Sequence, residues 1–416
     1  MLVYLWFALM RPDILAWSDG AHPYSLALLI CTLIGMVLGM GAELPSLIRI
    51  FKNPFTIGLI VLAIPTGLSV FFGVFPKIAW DDYSLFLRVI GTSMLIPVLI
   101  RSEEQVRSMI LVMAVSLGVI GCKFGIWGVI NGGVHITGGY GGMMSDNNNT
   151  ALAFVMGVPL CWGASQLTDR RWLKYLLYFM IANLLIGIVM TESRGAAVSL
   201  AVVLSLMCLL SKQRFLALVC LTGVLAGAIY MVQDTYVERI QTLQDPTQET
   251  SAESRIVYAQ AALEIWQDYP LLGVGFGGES ARLMQPKYIP GMKDYPSYIH
   301  NTYLEYLAGS GIFGAIVYVV LLFGTLGWLA LAARRAERIR PGLGVYPRCM
   351  CLSLLGFVIG STFLSRQLFD LCFILICAAG SWYLVERQLQ SEVVYDETQD
   401  ESGLSFDLSV ENESPA

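Results

Sequence analysis

Residues 300–332 read HNTYLEYLAGSGIFGAIVYVVLLFGTLGWLALA, and this stretch decides the fold class of the chain. It opens with a histidine and an asparagine, continues as one apolar run over 302–332, and is followed by four arginines between 334 and 340. A helix rises about 1.5 Å per residue, so the run is long enough to cross the roughly 30 Å of hydrocarbon in a bilayer. The stretch therefore predicts a transmembrane helix with a polar mouth at one end and positive charge at the other.

Similar apolar runs recur along the whole chain of 416 residues, of which 56% are hydrophobic and 14% charged. Soluble domains have about 25% charged residues, so this composition predicts an integral membrane protein. Further runs of spanning length lie near 22–40, 55–75, 83–100, 108–131, 149–166, 173–191, 195–211, 214–232, 347–365 and 367–385. Together with the short apolar start at 1–10, they predict an all-α polytopic membrane protein with eleven or twelve spans.

Lysine and arginine are unevenly distributed between alternate short loops. Fourteen lie in the loops that are cytoplasmic if the N-terminus is cytoplasmic, and four lie in the loops on the other side. Because positive residues favour the cytoplasmic side, the long polar segment is expected at the outer face. The predicted organisation is transmembrane helices in 1–232, an outer loop with short helices in 233–301, transmembrane helices in 302–385, and an acidic, disordered cytoplasmic tail in 386–416.

The cysteines do not indicate a metal site or a disulfide framework. All nine lie in or beside apolar runs, and none lies in the outer loop. No Cys/His spacing resembles a zinc site, so neither a metal nor a cofactor is predicted.

A first candidate site is the segment TESRGA at 191–196, between two predicted spans. Threonine or serine here can cap the following helix, whose free N–H groups and macrodipole favour an anion. The Arg194 guanidinium adds a full charge and paired donors suited to phosphate. An interfacial arginine that contacts lipid headgroups would show the same pattern.

A second candidate lies inside the outer loop. Residues 250–253 have the Thr-x-x-Glu pattern of a capping box, and apolar residues follow at helical spacing until Pro270, which predicts an amphipathic surface helix over about 251–268. Arg255 lies near its start, where the dipole disfavours a cation, so an anionic ligand, Glu253 or a lipid phosphate is expected to balance it. The glycine-rich stretch 272–278 follows a helix rather than a strand, which favours a turn with close backbone packing over a nucleotide loop.

The third candidate is His300. The pattern Thr302-x-x-Glu305 fits a second capping box, which places the histidine just before a helix N-terminus. The positive end of that helix lowers the pKa of the imidazole, which keeps it neutral and able to accept a proton. A capping or interfacial histidine would occupy the same place. Because the helices after Arg194 and His300 both run inward, their dipoles and the two arginines can converge on one anion, such as a lipid pyrophosphate.

Other charged residues near span ends are expected to have structural roles. Asp146 precedes the span near 149 and is predicted to cap it. Arg366 and Asp370 are four residues apart, which would allow a salt bridge on a helix.

These residues carry a resemblance to a known family. Residues 255–266, the PLLGVG turn at 270–275, and His300-Asn301-x-Tyr303-Leu304 with Gly309 and Gly311 together resemble the family of O-antigen ligases and polymerases, over about 140–330. The segments Asp146-Asn147-Asn148 and Met10-Arg11-Pro12 are similar to one branch, the exosortase-A-associated O-glycosylation ligases.

The resemblance implies a metal-independent C-type glycosyltransferase of the bacterial inner membrane, with its active site facing the periplasm. The donor would be a polyprenyl-pyrophosphate-linked glycan, and the acceptor a glycan, lipid or protein; no nucleic acid is implied. His300 would be the base, and Arg194 and Arg255 would hold the pyrophosphate. Supporting positions are expected at Asn301, Tyr303, Glu305 and Asp146.

Two alternatives stay open at this stage. A polymerase shares the donor chemistry of a ligase and differs only in its acceptor. A polytopic transporter would explain the number of spans equally well. Transporters, however, place ionisable groups near mid-membrane and are built from internal repeats, whereas here the polar residues gather at the outer ends of the spans.

Overall fold

The computed structural model describes most of the chain. The described residues are 1–15, 24–38, 44–132, 136–210, 222–223, 226, 251–289, 291–292 and 296–404. Most of the span expected near 214–232 therefore lies outside the described residues, as does the capping threonine expected at 250.

The described residues are almost entirely helical, which confirms the predicted all-α class. The helices are α1 Leu2–Met10, α2 Pro12–Leu15, α3 Tyr24–Leu38, α4 Leu44–Phe51, α5 Pro54–Phe72, α6 Pro76–Ser93, α7 Ile96–Leu99, α8 Glu103–Ile130, α9 Asn147–Gln166, α10 Arg171–Met190, α11 Arg194–Leu210, α12 Ser251–Asp268, α13 Gly278–Tyr288, α14 Thr302–Ile339, α15 Val345–Gly360 and α16 Asp370–Leu404. A small antiparallel hairpin, β1 Gly138–Gly141 and β2 Met144–Asp146, precedes α9.

Several of these helices can cross a membrane. Within the described residues, five helical stretches are long and apolar enough: Pro54–Phe72, Pro76–Leu99 (α6 together with α7), Glu103–Ile130, Arg171–Met190 and Thr302–Ile339. Shorter apolar helices cover Ala27–Met36, Arg194–Leu210 and Val345–Gly360. The polytopic membrane character is thus confirmed. These helices are fewer than the eleven or twelve expected spans, because several apolar runs form shorter or less apolar helices and most of the run near 214–232 lies outside the described residues.

The outward surface of the bundle is apolar. Large hydrophobic side chains at helical spacing are exposed along α5 and α14: Ile57, Val61, Ile64 and Leu68, and Phe313, Ile316, Val320 and Phe323. Such continuous apolar faces are suited to lipid and not to water. In contrast, α9 is buried on nearly every side, from Asn149 to Ser165, so it forms the centre of the bundle.

Helix α14 is interrupted about a quarter of the way along, at Gly311 (φ 64°, ψ −169°). The interruption is filled by the glycine-rich segment 270–277. The Val274 and Gly275 N–H groups donate to the carbonyls of residues 308 and 309, each at 3.0 Å, and the Ile312 N–H donates to the Pro270 carbonyl at 2.9 Å. The close backbone packing predicted for this segment is therefore confirmed.

Helices α12 and α13 form a layer on the end of the bundle where α14 begins. The helix predicted over 251–268 has those bounds in the structure. Its small core, separate from the main one, consists of Ala262, Ile265, Val274, Ala281, Met284, Ile299 and Ala308. Because Ala308 belongs to α14, this core fixes the outer layer on the transmembrane bundle.

The opposite end of α14 carries the arginine cluster. Arg335 pairs with Glu386 at 3.0 Å, and Arg340 pairs with Glu103 at 2.6 Å. Helix α16 continues past residue 386 to Leu404, so the boundary expected at 386 falls within a helix. The helix is stabilised at the point where the acidic tail was expected to begin. Trp382 and Val385 are buried there, and Glu386 pairs with Arg335.

Candidate functional site

Helix α11 begins at Arg194. The Ser193 hydroxyl accepts a hydrogen bond from the Ala196 N–H at 3.4 Å, so serine is the cap that the TESRGA segment supplies. Glu192, just before it, adopts a left-handed conformation (φ 52°). The turn places the Arg194 side chain at a helix N-terminus, where unpaired N–H groups favour an anion.

His300 lies directly before α14 in a left-handed conformation (φ 56°). Its backbone N–H donates to the Ser365 hydroxyl at 2.8 Å, which links it to the loop between α15 and α16. Positive φ is uncommon for residues other than glycine and is often found at functional sites, where the surrounding structure holds the strained backbone in place.

The capping box expected at Thr302-x-x-Glu305 is wrong. The cap of α14 is Asn301, whose side chain accepts from the Leu304 N–H at 3.0 Å. Thr302 is already helical, and its hydroxyl donates to the Leu364 carbonyl at 2.6 Å. Glu305 is therefore free of the capping role and is buried in the interior, with 2% of its surface exposed.

Arg194, Arg255 and His300 line one cavity of about 550 Å³. We call it the arginine cavity. The three residues come from three separate segments: the start of α11, the start of α12 and the mouth of α14. Further lining is provided by Asn147, Asn148, Glu192, Asn301 and Phe363. The structure thus brings together the three residues that the sequence singled out.

The environment of His300 disfavours the imidazolium form. Burial lowers the pKa of His300 below its ordinary value of 6.5, and the positive charges of Arg255 and Arg366 lower it further, while Asp146 acts in the opposite direction. The pKa of His300 is lowered, as predicted, but the main cause is burial. A neutral imidazole near neutral pH can accept a proton.

A second cavity, of about 480 Å³, also reaches His300. We call it the acidic cavity. Its charged and amide lining consists of Asp82, Asp146, Asn148, Asn149, Glu279, Glu305, Arg366 and Gln367. Tyr298 contributes an aromatic wall, and Gly277 and Gly278 contribute a wall without side chains. His300 therefore lies where two cavities of different character meet.

Arg366 joins the acidic cavity to α9. Its guanidinium pairs with the Asp146 carboxylate at 2.5 Å and also donates to the Asn149 side chain. Asp146 in turn caps α9, as predicted, by accepting from the Asn149 N–H at 2.9 Å. The pairing of Arg366 with Asp370 that their spacing would allow does not form, because residues 361–369 are not helical.

Glu279 lies at the outer edge of the acidic cavity. Arg282 donates to its carboxylate at 2.9 Å, and the Tyr298 hydroxyl donates to the same oxygen at 3.3 Å. The hydrogen bond from Arg282 holds the pKa of Glu279 below its ordinary value. This carboxylate is therefore ionised at neutral pH.

Three of the four remaining predicted positions line one of the two cavities, and one lines neither. Asp146 and Glu305 line the acidic cavity, and Asn301 lines the arginine cavity. Tyr303 is elsewhere: its hydroxyl donates to the Val358 carbonyl at 2.8 Å, and its ring packs against Tyr318. It lines neither cavity.

Among the charged and amide side chains that line the acidic cavity, the sequence did not indicate three: Asp82, Glu279 and Gln367. Asp82 could have been suspected, because an acid in the first turns of a membrane span is unusual. Glu279, in the first turn of α13, and Gln367, in the loop between α15 and α16, carry no comparable signal, since only the fold brings them to His300. In the part of the chain that the structure describes, no group of three or more His, Cys, Asp or Glu side chains could hold a metal ion.

A comparison with known protein families finds a match to the part of the chain that contains these residues. Residues 178–319 match the model of a family described as O-Antigen ligase. This region of the chain is similar to O-antigen ligases. It contains Arg194, Arg255 and His300, and it confirms the resemblance drawn from the sequence. The family assignment supports glycan transfer of the ligase or polymerase type by a multi-pass bacterial membrane protein.

The first part of the chain matches a different model. Residues 1–156 match a family of unknown function (DUF5935). This match includes Asp82 and Asp146, so the acidic cavity is lined by residues from both matched regions. No curated protein matches the chain. The more specific similarity to exosortase-A-associated ligases stays a prediction.

Proposed function

We propose that the protein transfers a glycan from a polyprenyl-pyrophosphate carrier to an acceptor hydroxyl, in a reaction on the periplasmic side of the bacterial inner membrane. The observation that carries the proposal is that Arg194, Arg255 and His300, from three separate segments, line one cavity within or beside the region similar to O-antigen ligases. Lipid membranes and a lipid-linked donor are the partners that this function requires.

The arginine cavity is suited to hold the pyrophosphate. Guanidinium groups bind phosphate oxygens through paired hydrogen bonds, and the N-terminus of α11 adds partial positive charge. Both arginines line the cavity together, and negative charge grows on the pyrophosphate oxygen as it leaves the sugar. Positive groups fixed in place before the reaction stabilise that charge in the transition state.

His300 is suited to act as the base. It lines the same cavity, and burial together with Arg255 keeps its pKa low, so the neutral form predominates at neutral pH. In the proposed step the acceptor O–H gives its proton to the imidazole, and its oxygen forms a bond to the anomeric carbon. The bond from that carbon to the pyrophosphate oxygen breaks, and its electron pair leaves with the polyprenyl pyrophosphate.

One displacement of this kind inverts the anomeric configuration and needs neither a covalent intermediate nor a metal. The bond between sugar and acceptor in the product therefore reports on the mechanism. Its configuration, measured by NMR coupling constants, should be opposite to that in the donor, and a retained configuration would contradict a single displacement.

The proposed function is tested with purified protein in liposomes that contain a glycan linked to polyprenyl pyrophosphate. We expect release of polyprenyl pyrophosphate when a membrane fraction bearing the native acceptor is added, and loss of at least about 1,000-fold in rate for His300→Ala. Folded His300→Ala protein that retains the wild-type rate would refute the role of His300. A transporter would move the intact donor across the bilayer and release no pyrophosphate.

A ligase and a polymerase give different products in the same assay. A ligase attaches one glycan to the acceptor, whereas a polymerase lengthens the glycan step by step. We place the ligase first because the matching family is described as O-Antigen ligase. A ladder of repeat lengths from a single defined donor would favour the polymerase.

A further inference from the structure

The two cavities that meet at His300 differ in charge. In the arginine cavity, Arg194 and Arg255 outnumber the single carboxylate of Glu192. The acidic cavity has one arginine, which pairs with Asp146, and four acidic side chains: Asp82, Asp146, Glu279 and Glu305. A pyrophosphate is therefore favoured on the side of the histidine where arginines are in excess.

Two buried side chains in the acidic cavity have polar atoms without a protein partner. Gln367 is 4% exposed, and neither its amide nitrogen nor its amide oxygen has a hydrogen-bond partner among the described residues. One carboxylate oxygen of Glu305, which is 2% exposed, is in the same situation. Buried polar atoms are nearly always hydrogen-bonded in folded proteins, so these groups indicate a polar ligand.

The lining of this cavity matches the chemistry of a sugar ring. Carboxylates accept hydrogen bonds from hydroxyl groups, and an amide such as Gln367 can both donate and accept. Tyr298 is 45% exposed, so part of its ring is available to stack on the apolar face of a sugar. Next to the Tyr298 ring, a Cβ at Gly278 would lie 3.0 Å from the Glu305 carboxyl group, so the absence of a side chain there keeps the approach to that group open.

We propose that the acidic cavity binds the acceptor sugar and that its carboxylates select neutral or amino sugars over anionic ones. This inference rests on the proposed function and adds to it the side from which the acceptor approaches His300 and the class of sugar it carries. The acceptor hydroxyl can then reach His300 from the acidic cavity while the pyrophosphate lies in the arginine cavity. An in-line displacement requires these two groups on opposite faces of the anomeric carbon.

Competing ligands fit the cavity less well. A phosphate or a second pyrophosphate would meet a lining in which acidic side chains outnumber the single arginine. A metal ion would need at least three suitable side chains close together, and the described residues offer no such group. A polyhydroxylated ring satisfies the buried amide and carboxylate without bringing in negative charge.

The test separates binding from folding at Gln367. Gln367→Met keeps the size of the side chain and removes both amide atoms. Because no described protein group bonds to that amide, the melting temperature should be unchanged or higher. In the liposome assay, the KM for the native acceptor fraction should rise at least fivefold, and the KM for the donor should stay the same. Gln260→Met, on the exposed face of α12, is the matched control and should change none of these values.

The preference for charge is tested by competition against the same acceptor fraction. Benzyl glycosides of neutral hexoses and of glucosamine should inhibit transfer at concentrations at least tenfold lower than the matching benzyl uronides. Equal inhibition by the uronides, or inhibition by none of the glycosides, would overturn the proposed selectivity.

The outcomes also distinguish this inference from the proposed function. If the wild-type protein releases no polyprenyl pyrophosphate, the proposed function fails and the inference fails with it. If the wild-type protein is active but Gln367→Met leaves the acceptor KM unchanged, or lowers the melting temperature without altering that KM, the acceptor subsite alone is refuted.

Discussion

The Arg366 guanidinium lies 2.5 Å from the Asp146 carboxylate and thereby joins the loop between α15 and α16 to the N-terminus of α9. The same loop supplies Ser365, which accepts the His300 backbone N–H, and Gln367, which lines the acidic cavity. Because the ion pair fixes this loop, it controls the position of His300 without being the base itself.

The first prediction concerns this ion pair. Asp146→Asn removes the negative charge but keeps a side chain that caps α9 nearly as well. The two side chains are 27% and 43% exposed, so the loss of the charged hydrogen bond should lower stability by about 1–2 kcal/mol. Displacement of the loop should reduce the transfer rate on the order of 10-fold, which corresponds to about 1.4 kcal/mol. Thermal unfolding in detergent and the liposome assay provide the two measurements.

A matched control is available at the other end of the bundle. Glu104→Gln makes the same kind of change in the Arg107–Glu104 pair, which spans 3.5 Å and has a glutamate that is 79% exposed. Exposed pairs contribute little, so its stability should change by less than about 0.5 kcal/mol. Equal effects of the two substitutions would show that the Asp146–Arg366 pair has no special role.

The composition and the length of the apolar runs were sufficient to predict the membrane class. Helical spacing and helix-end signals predicted the helix at 251–268 and placed His300 at a helix mouth, because such signals are local in sequence. The N-cap of α14 was predicted at Thr302 but lies one residue earlier, at Asn301, which is an equally good capping residue. The Thr302 hydroxyl instead donates a hydrogen bond to the Leu364 carbonyl in a neighbouring loop.

The acidic cavity could not be predicted in the same way. It forms where the start of α6, the hairpin before α9, the turn at 277–279 and the loop at 361–369 meet, and these segments are far apart in sequence. The Arg366–Asp146 pair spans 220 positions. The four-residue spacing indicated Asp370 as the partner of Arg366 instead. Spacing along the sequence carries no information on long-range contacts.

A second prediction follows from the lowered pKa of His300. If neutral imidazole is the base, kcat/KM should fall on the acid side with a midpoint below 6.5, since burial and Arg255 disfavour the protonated form. Removal of the Arg255 charge in Arg255→Gln removes one of these causes, so the pKa rises and the acid limb should move to higher pH. The maximum value of kcat/KM should fall as well, but the pH of the midpoint is the informative quantity.

Lys287→Gln provides the control for this profile. Lys287 is an exposed cation that pairs with Asp268 and lines neither cavity. Its loss should leave the midpoint where it is in the wild type. A midpoint that moves to lower pH in Arg255→Gln would contradict the assignment of His300 as the group that titrates.

The third prediction distinguishes charge from geometry at the two arginines. Lysine keeps the charge but cannot form the paired hydrogen bonds of a guanidinium. Arg194→Lys and Arg255→Lys should each lower kcat/KM for the lipid-linked donor by roughly 10- to 100-fold, which corresponds to about 1.4–2.7 kcal/mol. The acceptor KM should stay near the wild-type value. Full activity in both lysine variants would exclude a bidentate pyrophosphate clamp.

The last prediction concerns the interruption in α14. At Gly311 (φ 64°), an added Cβ would lie 2.3 Å from the backbone of Leu271, so Gly311→Ala must displace the segment that fills the interruption. We expect a loss of at least about 2 kcal/mol in stability, from strained backbone and lost packing. Gly324→Ala in the same helix meets no atom within 4 Å and should be neutral or stabilising by up to about 1 kcal/mol. Because the displaced segment leads into Gly277 and Gly278, the acceptor KM should rise in Gly311→Ala and not in Gly324→Ala. Equal melting temperatures for the two variants would show that the segment does not depend on the interruption in α14.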